Sequence, residues 1–210
     1  MKRLLLVFAC VSTAMATTVT LTMDEVAAQP INGLAVTKGG ITFTFSDVGG
    51  GLSYDTVGPG ILTYEQDPAI TGPPEQFGVA FSVPVTTIQF GMSAGPTNAS
   101  GTPLATVSFY NGATLITTVT LNSSLRDPYP EGQLNYTSAT PVTSMTVTPA
   151  PDTFAEIGFD NLQVTTPAPP PAPPPAVPAT SPVTLALMML GIVGLGGYAL
   201  RRRFGLSTSH

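Results

Sequence analysis

Ile41-Thr42-Phe43-Thr44-Phe45 places an apolar residue at every second position with a hydroxyl residue between. Side chains of an extended chain alternate between two faces, so this is the pattern of a strand with one face buried. Phe77, Val79 and Phe81 repeat it, as do Ile88, Phe90 and Met92, and then Ala105, Val107 and Phe109. Asn111-Gly112 follows the last of these, a tight-hairpin signal. Leu115, Thr117, Val119 and Leu121 supply the returning strand. Met145 with Val147, and Ala155, Ile157 and Phe159, complete the set. After Phe159 the apolar positions shift to Leu162 and Val164, which predicts a bulge near Asp160-Asn161.

Prolines at 59, 68, 73, 74, 84, 96, 103, 128, 130, 141 and 149 punctuate these runs, usually close to glycine. Such spacing forbids long helices and predicts many short strands joined by turns. Residues 31–164 hold roughly nine or ten strands, the size of one two-sheet sandwich. The connections are too short for parallel crossovers, so the pairing is antiparallel. The expected fold is all-β, an antiparallel jelly-roll-like β-sandwich preceded by a flexible segment at 17–30.

The two ends of the chain carry addresses. Met1-Lys2-Arg3 is a positive start, residues 4–9 are an apolar core, and Ala14-Met15-Ala16 has the small-x-small pattern read by signal peptidase. Residues 1–16 are therefore expected as a signal peptide cut after Ala16; a second candidate cut follows Ala28. Cys10 is the only cysteine and lies in the leader, so the mature protein is expected to have no thiol and no disulfide.

At the other end, residues 165–182 form a proline-rich linker, extended in polyproline II with no flanking base to mark a docking ligand. Residues 183–200 then run without one charge and Arg201-Arg202-Arg203 follow. Eighteen residues of helix reach about 27 Å, close to the hydrocarbon thickness of a bilayer. A single C-terminal transmembrane helix at 183–200 is expected. The arginines act as a stop-transfer cluster that keeps the basic tail, 201–210, in the cytoplasm and the sandwich outside.

The order Val177-Pro178-Ala179-Thr180-Ser181-Pro182, apolar segment, Arg201-Arg202-Arg203 resembles a bacterial PEP-CTERM or IPTL-CTERM sorting signal. The resemblance covers about the last 30 residues; the glutamate of the P-E-P motif is missing, and Val183 stands where a tryptophan is common. It implies an exosortase-type sorting protease as a partner and a final place at the cell surface or in the extracellular matrix. Val177 to Ser181 also loosely resembles a sortase box, which leaves the processing enzyme open. The run Phe154 to Val164 resembles the closing strand of carbohydrate-binding-like jelly rolls of exported proteins. That implies a sandwich and, less firmly, a ligand or calcium role for its acidic positions.

Charge narrows the function. All twelve acidic residues lie between Asp24 and Asp160, against Lys38 and Arg126 alone, for a formal charge of −10 in that stretch. Nucleic acid recognition needs the opposite sign, so no nucleic acid partner is expected. The sole histidine is His210, so the exported part lacks imidazole and, once the leader is removed, thiol. This excludes Ser-His-Asp and Cys-His catalysis within the chain and the usual zinc sites. Carboxylate pairs remain, Glu65 with Asp67 and Asp152 with Glu156 the nearest in sequence, and a glycosidase needs two flanking a sugar. Tryptophan, a frequent sugar platform, is absent, leaving Tyr54, Tyr64, Tyr110, Tyr129 and Tyr136 as substitutes.

Calcium is the one cofactor to weigh. It takes six to eight oxygens, and Asp47, Asp160 and Asn161 could supply some if the terminal strands are neighbours. The plainer reading, which outweighs it, is that Asp47 starts a turn and Asp160 sits at the bulge. The leading functional reading is a non-enzymatic exported surface protein whose sandwich binds glycan or protein, or is structural. A membrane-anchored, calcium-dependent carbohydrate-binding module is the alternative, and a glycoside hydrolase comes third. Extracellular polysaccharide is the natural partner under either of the first two.

Overall fold

In the computed structural model the described residues are 15–57, 62–95, 103–123, 129–150, 155–168, 186–193 and 198. Contacts divide the chain into two units, Met1–Pro170 and Pro171–His210. The first holds eleven strands: β1 Thr18–Leu21, β2 Gln29–Pro30, β3 Ala35–Lys38, β4 Ile41–Asp47, β5 Ser53–Thr56, β6 Ala69–Gly72, β7 Phe77–Gly95, β8 Pro103–Asn111, β9 Thr114–Asn122, β10 Glu131–Pro149 and β11 Glu156–Thr165. Every pairing among them is antiparallel.

Two of these strands, β7 and β10, are 19 residues long and belong to both layers of a β-sandwich. Their halves meet different neighbours. Phe77 to Phe81 pairs with β4, and β10 from Ser144 onward pairs with β8, whose other side carries β9. With β3 beside β4, this makes the first layer. In the other halves, Thr87 to Gly95 lies between β11 and the start of β10, while β11 continues to β6, β5 and β2, and to β1. This is the second layer.

Pro84 and Pro141 lie inside these long strands rather than between short ones, correcting the expected segmentation. They fall where the β7–β10 register slips between Thr137 and Ser144. A missing N–H costs least there, where the ladder is already broken and the chain passes from one layer to the other.

The alternating runs form the core. Phe43, Phe45, Phe77, Phe90, Phe109 and Phe159 are all fully buried. Phe159 of the second layer packs edge-on against Phe77 of the first, with ring centroids 5.1 Å apart, and against Phe90 at 4.7 Å. Burying one such side chain contributes about 2–3 kcal/mol. The expected bulge is present: β11 slips against β7 between Asp160 and Gln163, and Asn161 has φ 53°. The expected hairpin is also present, but its two turn residues are Gly112-Ala113, with Asn111 paired to Thr114 as the last residue of β8. The Gly112 N–H is taken by the Thr143 hydroxyl at 2.8 Å.

Residues 17–30 are not a loose lead-in. β1 pairs with the end of β11, β2 pairs with β5, and Val19, Leu21 and Met23 are buried. Glu25 anchors the stretch, accepting from Lys38 Nζ at 2.6 Å, from the Thr22 N–H at 2.9 Å and from the buried Tyr54 hydroxyl at 2.5 Å. The segment is polar and short, so its order comes from partners far along the chain. β11 likewise runs one residue past the expected end of the domain, to Thr165.

In the second unit, residues 186–193 are helical with exposed side chains. No helix among the described residues is long and apolar enough to cross a membrane. Residues 183–185, 194–197 and 199–200 of the expected span lie outside the described residues, as do Cys10, Ala14, Val177 to Pro182 and Arg201 to Arg203.

Candidate functional site

Register across the second layer brings together residues that are far apart in sequence. Thr20, Gln163, Gln89 and Asn135 stand side by side on β1, β11, β7 and β10. The next row on the same face is Thr18, Thr165, Thr87 and Thr137. Paired residues share a face and positions two apart return to it, so both rows lie on the outward side, opposite Ile88, Phe90 and Val164. All eight are half-buried or exposed. Four strands at about 4.8 Å spacing make the strip about 14 Å across.

The strip carries amides and hydroxyls and no charge. Gln163 Nε2 donates to Thr20 Oγ1 at 3.2 Å, the Thr18 and Thr165 hydroxyls are 2.9 Å apart, and Asn135 Nδ2 donates to Gln133 Oε1 at 3.1 Å. These neighbour contacts hold the side chains in place while leaving each amide a free donor or acceptor for a ligand.

One end of this face is covered by residues 62–68, and the covering is built on carboxylates. Glu131 accepts the N–H groups of Thr63 (2.9 and 3.1 Å) and Tyr64 (3.0 Å). Asp160 accepts the N–H of Gln66 at 2.9 Å, and Asn161 Nδ2 donates to the Tyr64 carbonyl at 3.3 Å. Glycine makes the approach possible. A Cβ at Gly91 would stand 1.8 Å from the Tyr64 carbonyl oxygen, and one at Gly158 would stand 1.9 Å from Glu65 Oε1. Half-buried Tyr64 therefore sits at the head of the amide strip, above Gly91, the residue two before which is Gln89.

Glu65 is the anomaly of this seat. It is fully buried, and neither carboxylate oxygen has a hydrogen-bond partner. Burial pushes its pKa up to about 7; Ser93 lies near enough to favour the charged form without being aligned to bond it, and Asp160 and Asp67 add repulsion. Burial also pushes Asp160 up to about 6, against the pull of its backbone hydrogen bonds from Gln66 and Asn161. Glu25 goes the other way. Its burial is outweighed by Lys38, Tyr54 and Thr22, which hold it at about 2.

Beyond Glu65 a shallow, open depression is lined by Ser93, Gly95, Tyr129, Glu156, Ile157 and Gly158. Tyr129 lies on Gly95, its ring 2.3 Å from where a Cβ would be. Glu156 is exposed but Glu65 is sealed from solvent. A proton donor must reach within hydrogen-bond distance of the leaving oxygen, and a sealed carboxyl does not. Of the carboxylate pairs expected from sequence, Asp152 lies outside the described residues and Glu65 with Asp67 is disqualified by this burial.

The calcium candidates are placed as structural caps. Asp47 at the end of β4 accepts the N–H groups of Gly49 at 3.2 Å and Leu52 at 2.9 Å, organising the turn that follows. Asp160 and Asn161 sit at the bulge of β11, in the other layer. Among the described residues no group of three or more His, Cys, Asp or Glu side chains is arranged to hold a metal ion. Of the five tyrosines considered as sugar platforms, Tyr54 is core, and Tyr136 is stacked on Phe109 at 4.0 Å. Tyr64, Tyr110 and Tyr129 keep partial exposure. Sequence reasoning misses the amide strip itself, because its four rungs become neighbours only through strand register.

No protein-family profile and no curated protein matches this chain. Among solved structures, it is similar to a carbohydrate-binding module of family 29, at 13% identity over 72% of this chain and 90% of that one, with a TM-score of 0.38. A variant of such a module complexed with mannohexaose matches at 14% identity, 72% and 93% coverage, and TM-score 0.39. A cleaved adhesin domain of Lys-gingipain from Porphyromonas gingivalis matches at 11% identity, 72% and 99% coverage, and TM-score 0.43. At these identities and scores the likenesses carry no argument about this chain.

Proposed function

We propose that the chain is a non-enzymatic, exported surface protein whose jelly-roll-like sandwich binds a neutral polysaccharide along the Thr20–Gln163–Gln89–Asn135 row. The observation that carries this reading is the uncharged outward strip on a domain of formal charge −10. Sugar hydroxyls are matched by amides and hydroxyls that both donate and accept, and a strip free of acids repels no sugar and attracts no cation. Tyr64 supplies an aromatic group beside the row, over Gly91, the next β7 position on that face after Gln89. The oxygens of Asp47 and Asp160 are already engaged by backbone N–H groups, so this binding needs no calcium.

Affinity electrophoresis against neutral and acidic polysaccharides tests it. Retardation by at least one neutral polymer is expected, unchanged by chelator and lost in the variant Gln89→Ala/Asn135→Ala, which keeps its thermal midpoint. Retardation by acidic polymers alone, or binding untouched by the double substitution, would remove the strip from the account.

The address signals belong to the same proposal: leader removal after Ala16, a membrane helix at 183–200 and sorting through residues 177–182. The strand arrangement supports the earlier of the two cuts. Cleavage after Ala28 would remove β1 with its buried Val19, Leu21 and Met23, whereas a cut after Ala16 spares Thr17, whose N–H and carbonyl both bond Thr166. Mass spectrometry of the protein from its native host is expected to find Thr17 first and a C-terminus within 178–182. A chain ending beyond Arg203 would make the tail a retained anchor instead.

A further inference from the structure

The first layer ends on two edges that differ. At one end, β3 has four residues, stops at a Gly39-Gly40 turn and carries Lys38 in an ion pair with Glu25 at 2.6 Å. Short length and an edge lysine are the usual protections against pairing with another chain. At the other end, β9 has nine residues, Thr-Leu-Ile-Thr-Thr-Val-Thr-Leu-Asn, with no charge, proline or glycine. It pairs with β8 on one side, and among the described residues no strand pairs with its other side. Leu115 is 53% exposed, and Ile116 and Val119 are only half-covered where they pack against the core.

We propose that β9 is an assembly edge whose occupant is β9 of a second copy of this chain, paired antiparallel about Thr118. Three observations favour a second copy. On its open side the strand offers backbone N–H and carbonyl groups with β-rich side chains and no charge or proline. Its register on β8 slips at Ile116 and again only past Leu121, leaving Thr117 to Leu121 regular around the proposed centre. The face it continues, Thr106, Ser108, Thr146 and Thr148 on β8 and β10, is also uncharged, so two strongly acidic domains meet there without apposing like charges. Among the described residues only one of the two edges of this layer is open. A self-complementary contact at a single edge closes as a two-fold dimer, whereas two open edges would propagate a fibre. Pairing covers Ile116 and Val119 and joins the first layers of both copies into one sheet, with the amide strip on the opposite side of each sandwich.

Sedimentation of the full chain in detergent, in a Cys10→Ala background, tests the proposal. The unaltered edge is expected to give a dimer. Leu115→Lys/Thr118→Lys is expected to halve the mass while leaving the thermal midpoint of the monomer fold in place. Thr118→Cys is expected to form an intermolecular disulfide under mild oxidation, and Thr44→Cys, exposed on β4 of the same layer, is not. A monomer at every concentration, a dimer that persists in the double-lysine variant, or equal cross-linking of the Thr118→Cys and Thr44→Cys variants would overturn it. Polysaccharide binding is read separately, so failure of the edge leaves the strip untouched and the reverse.

Discussion

Replacing Gly91 with alanine is expected to lower the unfolding free energy by about 3 kcal/mol, near the upper end for an overpacked site. The clash partner is backbone: the added methyl would stand 1.8 Å from the Tyr64 carbonyl oxygen and 2.5 Å from its carbon. That carbonyl cannot retreat cheaply. Its oxygen accepts from Asn161 Nδ2, and the N–H of the same residue is held by Glu131. Lifting residues 62–68 would cost Glu131 the N–H groups of Thr63 and Tyr64 and cost Asp160 that of Gln66, all hydrogen bonds to buried carboxylates. Denaturant unfolding of Gly91→Ala beside Thr137→Ala, an exposed control expected within about 0.5 kcal/mol of the parent, measures the effect. Equal stability of the two variants would mean that the segment does not lie against β7. Because Tyr64 moves with the segment, Gly91→Ala is also expected to weaken polysaccharide binding.

The second large effect is electrostatic. Glu65 has a folded pKa of about 7 against an ordinary 4.5. The folded state therefore keeps a proton that the unfolded chain has released, and stability falls as pH rises from 4.5 to 7, then levels off. A rise of this size corresponds to about 3 kcal/mol. Asp160, pushed up to about 6, slopes in the same direction. Glu65→Gln removes the buried charge and is expected to raise stability by about 3 kcal/mol at pH 8 while changing little at pH 4.5. Glu25 supplies the opposite limb. Its folded pKa of about 2 lies below the ordinary value, so its contribution is complete above pH 4.5 and is lost as pH falls toward 2. Stability is thus expected to peak near pH 4.5–5, which unfolding midpoints of both proteins at pH 3, 4.5, 6 and 8 check. A parent protein that becomes more stable between pH 5 and 8, or a variant that merely parallels it, would contradict the assignment of the proton to Glu65.

The parts of this molecule that are readable in advance are those whose signal is local. Ile41 to Phe45 alternates because its own β4 buries one face, and the phase change after Phe159 marks the bulge because the residues on either side of it report it. The seat of residues 62–68 has no such signal. Glu131 lies 68 positions from Thr63, and Asp160 lies 94 from Gln66, so nothing near any of them announces the hydrogen bonds they form. Glu65 is visible in the sequence only as one member of an acidic pair; its burial depends on Gly158 having no side chain. β1 is hidden for a related reason. Thr18 to Leu21 is short and hydroxyl-rich, and its order is lent by β11 more than 140 residues away. The long strands defeat a local reading because proline ordinarily ends a strand, while at Pro84 and Pro141 it marks the passage between layers.

The most direct test of the central claim is where a bound sugar chain touches. Backbone and side-chain amide NMR spectra of the full chain, titrated with an oligosaccharide of the neutral polymer that retards it, should show the largest shifts at the side-chain amides of Gln89, Asn135 and Gln163 and around Tyr64. Shifts confined to the first layer, or gathered at the Glu156–Tyr129 depression with those amides unmoved, would contradict the account.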